Sequence, residues 1–452
     1  MVNDKYLQGQ YPQITSSSYN TVLYCTVLSV EDVRKRIVRA KKPNSLVPGD
    51  LPKKLVKHCS SFLAFPVSLI FNRITNTATF PSQWKTEHQI AIPKSYPPEN
   101  ENDLRNIAKT PFFSKLYESI IGGWLLPIIK PYMDPNQCGL RGSSITHYLI
   151  KLLHFIHATL DNKKPHAVLT ACVDISSAFN RVDHCLVVQD LYDMHTPAWL
   201  LRIVISYLSD RSMVLTFNTA QSSVKKLPGG GPQGAYLGGI IFIVKYNGAL
   251  LRPPIPRPLR GAVKNTKAQA VKYVDDGAVA VSIDLKQCLV PDPVIRQKPL
   301  NYRERTGHVL PPTNNLLQYY IQDTKQFTAQ NKMIINKKKT KVISFNKSKK
   351  WDFPLELTFS NGSQLECISE TKLVGVMLSG DLSWHKNTQY ICQKAKQTLW
   401  ILRRMVKLNT STLLDVYAKE VRSILELAVP VWHSGLTKKQ SADIEFKKLH
   451  LN

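Results

Sequence analysis

Val271-Lys272-Tyr273-Val274-Asp275-Asp276-Gly277-Ala278-Val279-Ala280-Val281 sets two adjacent carboxylates between two short apolar, β-branched runs. That pattern predicts a strand, a tight turn and a second strand. Asp and Gly suit the turn, because short polar side chains and Gly tolerate its backbone angles. The hairpin would hold two like charges side by side at an exposed tip, an arrangement that repels itself without a cation. Paired carboxylates joined by a third from elsewhere hold two Mg²⁺ ions for phosphoryl transfer. Taken alone, Asp-Asp-Gly is more often a solvated turn, so the rest of the sequence has to decide.

A third acid lies upstream. Ala167-Val168-Leu169-Thr170-Ala171-Cys172-Val173 is an apolar run ending at Asp174, and a buried strand delivering an acid at its C-terminal end is one way to build a metal site on a sheet. Ile175 to His184 reads as a turn running into a helix, with Ser176 or Ser177 as N-cap. Between the acidic sites lies Leu227-Pro228-Gly229-Gly230-Gly231-Pro232-Gln233-Gly234-Ala235-Tyr236-Leu237-Gly238. Its glycines allow close backbone approach, and Gln233 is held on a loop leading into an apolar helix.

The order Asp-x-x-x-Ala-Phe (Asp174 to Phe179), Pro-Gln-Gly (Pro232 to Gly234) and Tyr-x-Asp-Asp (Tyr273 to Asp276) resembles the palm of reverse transcriptases. The surrounding sequence is similar to those of non-LTR (LINE-like) retrotransposons. Trp84-Lys85, Ala91-Ile92-Pro93-Lys94 and Asn102 to Ile107 resemble the fingers blocks of that family, and Asp134 to Ser143 the block ahead of the palm. Asn336 to Lys341 and Leu373-Val374-Gly375-Val376 resemble later palm blocks, and Leu425 to Trp432 a thumb block. The shared order carries more weight than any one block. Asn180, where a second Asp is frequent, Asn106, Gly229-Gly230-Gly231 and Val274 depart from the commoner residues of the family, and none of them removes an implied metal ligand.

The resemblance implies an α+β, right-hand polymerase fold: fingers, a palm with an antiparallel sheet and helices, and a helical thumb. Residues 1–30 are a segment of unassigned role, 31–165 fingers and template entry, 166–380 palm with an irregular insertion over 285–315, and 381–452 a thumb that ends short. It implies RNA-directed DNA synthesis with RNA template, DNA primer and dNTPs as partners. Asp174 and Asp275 would bridge two Mg²⁺ ions (Mn²⁺ as an alternative), Asp276 would assist, and the Ile175 carbonyl would add an oxygen ligand. Phe179 would lie beneath the sugar and exclude a 2′-OH; its plainer reading is a core Phe. Gln233 and Gly234 would support the incoming nucleotide and template base, or simply form a turn. Tyr273 joins the substrate-binding set. Lys94 and Arg105 would meet the triphosphate, or carry solvated surface charge. Lys339 would protonate the leaving pyrophosphate; Lys337, Lys338 and Lys341 surround it, so the register is open and the run could instead hold backbone phosphates. Leu373 to Val376 would grip the primer end.

Composition agrees with a polyanionic partner. Among 452 residues, Lys+Arg number 60 against Asp+Glu 32, for a formal net charge of +28. Such a balance is self-repelling unless nucleic acid, or an anionic membrane surface, neutralises it. A hydrophobic content of 43% belongs to a folded chain. No segment is long and apolar enough to span a bilayer and the N-terminus lacks a signal-peptide pattern, so no membrane partner is expected and an intracellular place, nucleus or cytoplasm, is. The eight cysteines lie scattered without zinc spacing, which reads as reduced thiols without a disulfide-linked partner. The sequence leaves oligomeric state open, and shows no second catalytic block for a nuclease.

Residues 31–58 read as a basic loop broken by Pro43, Pro48, Gly49 and Pro52 before a helix. Apolar residues over 61–74 (Phe62, Leu63, Phe65, Val67, Leu69, Ile70) predict a buried helix, and 116–131 and 146–161 repeat helical spacing. Gly238 to Val244 reads as buried core. Pro-rich loops are expected over 253–258 and 291–312, and a helical pattern from Trp384 onward. Two other readings compete with the polymerase: a catalytically inactive, truncated relic that binds RNA, and an RNA-dependent RNA polymerase, against which Phe179 and the Pro-Gln-Gly block argue.

Overall fold

In a computed structural model, the described residues are 28–40, 47–94, 97–100, 103–140, 142–162, 166–217, 220–251, 266–284, 316–346, 357, 364–404 and 409–449. Most of the N-terminal segment 1–30, Arg141, the loop expected over 253–258 and the whole insertion expected over 285–315 lie outside them. The described residues of Met1–Asp134, Ser177–Asn247 and Ala329–Met333 form one compact unit; those of Pro135–Ser176, Gly248–Thr328 and Ile334–Asn452 form a second.

The first unit opens with α1 (Val30–Arg39), where Ser29 Oγ accepts from the Asp32 amide and Val33 and Ile37 make a buried stripe. The loop expected over 31–58 is corrected by two helices there, α1 and α2 (Lys53–His58); the signal for α1 is a Ser cap ahead of Val33 and Ile37, four residues apart. Helix α3 (Ser60–Thr77) is present as expected, but its buried face is not the predicted one. Phe62 is 83% exposed, and Phe65, Leu69 and Ile70 also face outward. The stripe facing inward is Ala64, Val67, Phe71 and Ile74, spaced three and four apart, as helix geometry requires for packing on α1.

Strands β1 (Thr86–Pro93) and β2 (Leu104–Lys109) pair antiparallel, and β4 (Arg211–Phe217) runs parallel to β1 with short β5 (Ala220–Gln221) and β6 (Lys225–Leu227) beside it. Glu87 on β1 and Arg211 on β4, both buried, join at 3.0 Å. Removing one partner of such a pair leaves an uncompensated buried charge, at about 3–5 kcal/mol. Helices α4 (Phe112–Ile129), α6 (His184–Asp193), α7 (Ala198–Leu208) and α8 (Tyr236–Tyr246) complete the unit. The Ser176 or Ser177 cap is a second correction. Ser177 has φ +50 and its side chain caps nothing; a short 3-10 turn follows, and α6 begins later, with Asp183 Oδ1 accepting from the Leu186 amide.

The second unit is built on a sheet ordered β10-β9-β3-β8-β7. Its strands are β3 (His166–Val173), β7 (Ala268–Tyr273), β8 (Asp276–Asp284), β9 (Lys341–Phe345) and β10 (Glu366–Ile368). All neighbours are antiparallel except β10 and β9. Helix α5 (Ile145–Leu160) buries Tyr148, Leu149, Leu152, Leu153 and Ile156 against β3, β7 and β8; α9 (Leu316–Gln330) belongs to this unit as far as Thr328. The core continues into the small hairpin β11 (Glu370–Leu373) and β12 (Val376–Ser379), then into α10 (His385–Arg403) and α11 (Thr410–Tyr417). A π-helical turn, two short helices α12 (Ser423–Leu425) and α13 (Val429–Trp432), and α14 (Lys438–Leu449) follow. The helical pattern expected beyond Trp384 is thus present, with Ile391, Ala395, Leu399 and Leu402 buried on α10.

The opening hairpin forms, with two corrections. Gly277 lies in β8 and is buried, and the residue with left-handed backbone is Val274, at φ +57. The tip is half-buried rather than exposed, as Tyr273 to Asp276 all lie partly covered.

Candidate active site

Strand register gathers the acids. Val173 pairs with Gly277 across β3 and β8, so Asp174, one step past the end of β3, comes opposite Asp276. Tyr273 pairs with Asp276 to close the hairpin, leaving Val274 and Asp275 as the turn. The Asp174 backbone is tied on both sides: its amide donates to Thr340 Oγ1 at 3.3 Å and its carbonyl accepts from the Asn336 amide at 2.8 Å. The Ser176 amide donates to the Ile334 carbonyl, so the bonds flanking the Ile175–Ile335 bridge come from their neighbours and leave the Ile175 carbonyl unconsumed by them.

The electrostatics register the same convergence. Burial pushes the Asp276 carboxyl up to about 6, the negative charges of Asp275 and Asp174 push the same way, and Lys339 opposes them. The lysine run therefore acquires a register. Lys339 is the lysine whose charge reaches Asp276, while Lys341 pairs with Glu366 on the neighbouring strand. Among the described residues, no three His, Cys, Asp or Glu side chains stand close enough to form a ready-made metal cage. Three carboxylates of like charge lower their repulsion by separating, and binding a shared cation would draw them inward. Their all-oxygen donor set, with a partly desolvated Asp276 whose charge a cation would stabilise, fits a hard divalent ion such as Mg²⁺.

Phe179, Gln233, Gly234, Lys94 and Arg105 lie in the first unit, and Leu373 to Val376, at the turn of the β11–β12 hairpin, in the second. Phe179 sits in the 3-10 turn Ala178–Arg181, its ring stacked on Phe242 at 4.8 Å and 25°, with Phe242 stacked in turn on Tyr246. The Gly-rich loop is sewn to this turn: the Gly231 amide donates to the Phe179 carbonyl and the Gly230 amide to Val182. His184, kept neutral by burial, donates from Nε2 to the Gly230 carbonyl at 2.7 Å. The Gln233 carbonyl accepts from the Ala108 amide at 2.7 Å. At Gly234, φ is +113 and a Cβ would stand 3.0 Å from the Ala108 carbonyl oxygen, so glycine is required twice over. Arg105 pairs with Ile92 in the β1–β2 register and Lys94 follows the end of β1, bringing both exposed cations to one end of that hairpin.

Sequence reasoning missed several supporting residues. Thr340 and Asn336 hold the Asp174 backbone, yet they sit in a lysine run that drew attention to charge. Glu118, fully buried and raised in pKa by that burial, accepts from the Leu237 amide and from Ser114 Oγ; it caps the start of α8, immediately after the Pro-Gln-Gly turn. Nothing in the local sequence of α4 points across to α8.

Comparison with known proteins bears on the whole arrangement. The family described as Reverse transcriptase (RNA-dependent DNA polymerase) matches residues 92–391. The chain is 26% identical over 276 residues to the RNA-directed DNA polymerase from mobile element jockey of Drosophila melanogaster, covering 60% of this chain and 29% of that protein. It is 25% identical over 388 residues to the RNA-directed DNA polymerase attributed to transposon BS of the same species, covering 83% and 38%. The chain thus spans less than two fifths of the length of these curated relatives. A solved structure of apo telomerase from Candida tropicalis is similar with a TM-score of 0.40 and 13% identity, over 70% of this chain and 58% of that one. The fold class is the α+β, right-hand polymerase class that the motif order implies. Since the matched stretch takes in the Asp174 strand end, the Pro-Gln-Gly turn and the Asp275–Asp276 hairpin, this chain belongs to the reverse transcriptase (RNA-dependent DNA polymerase) family.

Proposed function

We propose that this chain is the RNA-directed DNA polymerase of a non-LTR retrotransposon, transferring a nucleotidyl group from a dNTP to a primer 3′-OH along an RNA template. The observation that carries the reading is the convergence of Asp174, Asp275 and Asp276 at one end of the second unit's sheet, with Lys339 beside them. Two Mg²⁺ ions, or Mn²⁺ in their place, held by these carboxylates and the Ile175 carbonyl would acidify the attacking hydroxyl and neutralise the triphosphate. Lys339 supplies the proton to the departing pyrophosphate. Phe179, fixed by its stack, selects against a 2′-OH by steric exclusion, and Tyr273, Gln233 and Gly234 contact the nucleotide. Lys94 and Arg105 meet its phosphates. In this reading, residues 31–165 serve as fingers, 166–380 as palm and 381–452 as thumb, and the protein works inside the cell on RNA and DNA.

Primer extension on poly(rA)/oligo(dT) with Mg²⁺, comparing the chain with Asp275→Ala, tests this. Incorporation by the unaltered protein and its loss in the variant are expected. Equal incorporation by both, or none by either, removes the enzymatic reading; binding of RNA without incorporation would leave the inactive relic.

A further inference from the structure

In the second unit, the Gln137 side chain is 3% exposed. Its Oε1 accepts from the amides of Val274 at 3.1 Å and Gly139 at 2.9 Å, and its Nε2 donates to the Val274 carbonyl at 3.4 Å. One side chain thus holds both backbone groups of the residue preceding Asp275. The flanking backbone locks the pair further: the Lys272 amide donates to Asn136 and the Cys138 amide to Lys272. Val274 needs that hold, since a β-branched residue at φ +57 stores strain of about 1–3 kcal/mol. We infer that Gln137 is a positioning residue, using its amide to impose the turn that aims Asp275 and Asp276.

Gln137→Leu should lower kcat roughly 10- to 100-fold with KM for dNTP nearly unchanged, and weaken Mn²⁺ affinity, read by electron paramagnetic resonance, several-fold. The Mn²⁺ readout stands even if the chain proves inactive. Val274→Gly, which adopts a left-handed backbone without strain, should restore both quantities in the double variant. Gln137→Asn, one methylene short, takes the place of the leucine variant if that one fails to fold, and the same rescue is required of it. Unchanged Mn²⁺ affinity in the single variant, or a defect that Val274→Gly does not repair, overturns the inference.

Discussion

The carboxylate tip of the second unit and the Gly-rich loop of the first are both turns that hold candidate site residues, and they are held in opposite ways. At the loop, strain is avoided by residue choice: Gly230 at φ +92 and Gly234 at φ +113 occupy conformations that suit no other residue. At the tip, Val274 takes a left-handed conformation against its own preference and is pinned by a neighbouring amide. The loop's supporting bonds are backbone to backbone, with a neutral His184 added. The tip instead gathers like charge in a partly buried place, and Asp276 shows the cost as a raised pKa. A loop of glycines needs little from its surroundings; a strained, charged tip needs a scaffold on every side.

The largest test of that contrast is Asp174→Asn. It keeps the shape of the strand end while removing one carboxylate, and primer extension should fall by about a thousandfold or more with little change in melting temperature. Phe179→Ala comes next. It removes the ring stacked on Phe242, and use of rNTPs relative to dNTPs, measured in competition, should rise roughly 10- to 100-fold.

A third test reads the cost of burying the Asp276 carboxyl beside the charges of Asp275 and Asp174. Asp276 has its folded pKa raised from 3.8 to about 6, so between those values the folded chain holds a proton that the unfolded chain releases. Stability of the metal-free protein should therefore fall as pH rises from about 4 through 6 and level off above. Asp276→Asn should abolish that slope, melting a few degrees higher than the parent at pH 7 and equally at pH 4. Adding Mg²⁺ at pH 7 should raise the parent's melting temperature and not the variant's. The smallest effect belongs to an exposed cation of the first unit. Arg105→Ala should raise KM for dNTP only a few-fold, an increase that higher salt erodes.

Much of this was legible beforehand because it is periodic or local. Alternating and continuous apolar runs located β3, β7 and β8; helical spacing located α4, α5 and α10; the order of short blocks led to the family. What failed in the reading failed for physical reasons. The outward face of α3 is as apolar as its inward one, so composition could not orient it, and α1 was hidden in a stretch read for its charge and prolines. Ser177 looked like a cap because serine often is one, but its left-handed backbone starts a 3-10 turn and leaves capping to Asp183.

By itself, then, the amino-acid sequence determined which residue types are present, the order of the blocks, and hence the family and three candidate acids. Tertiary structure alone decided that strand pairing brings Asp174 opposite Asp276, that Lys339 rather than Lys341 answers their charge, and that Gln137 clamps Val274. Those facts depend on contacts between residues more than a hundred positions apart, or on which of two equivalent lysines finds a partner. Local propensity carries no information about either, because register and burial are set only when the whole sheet assembles.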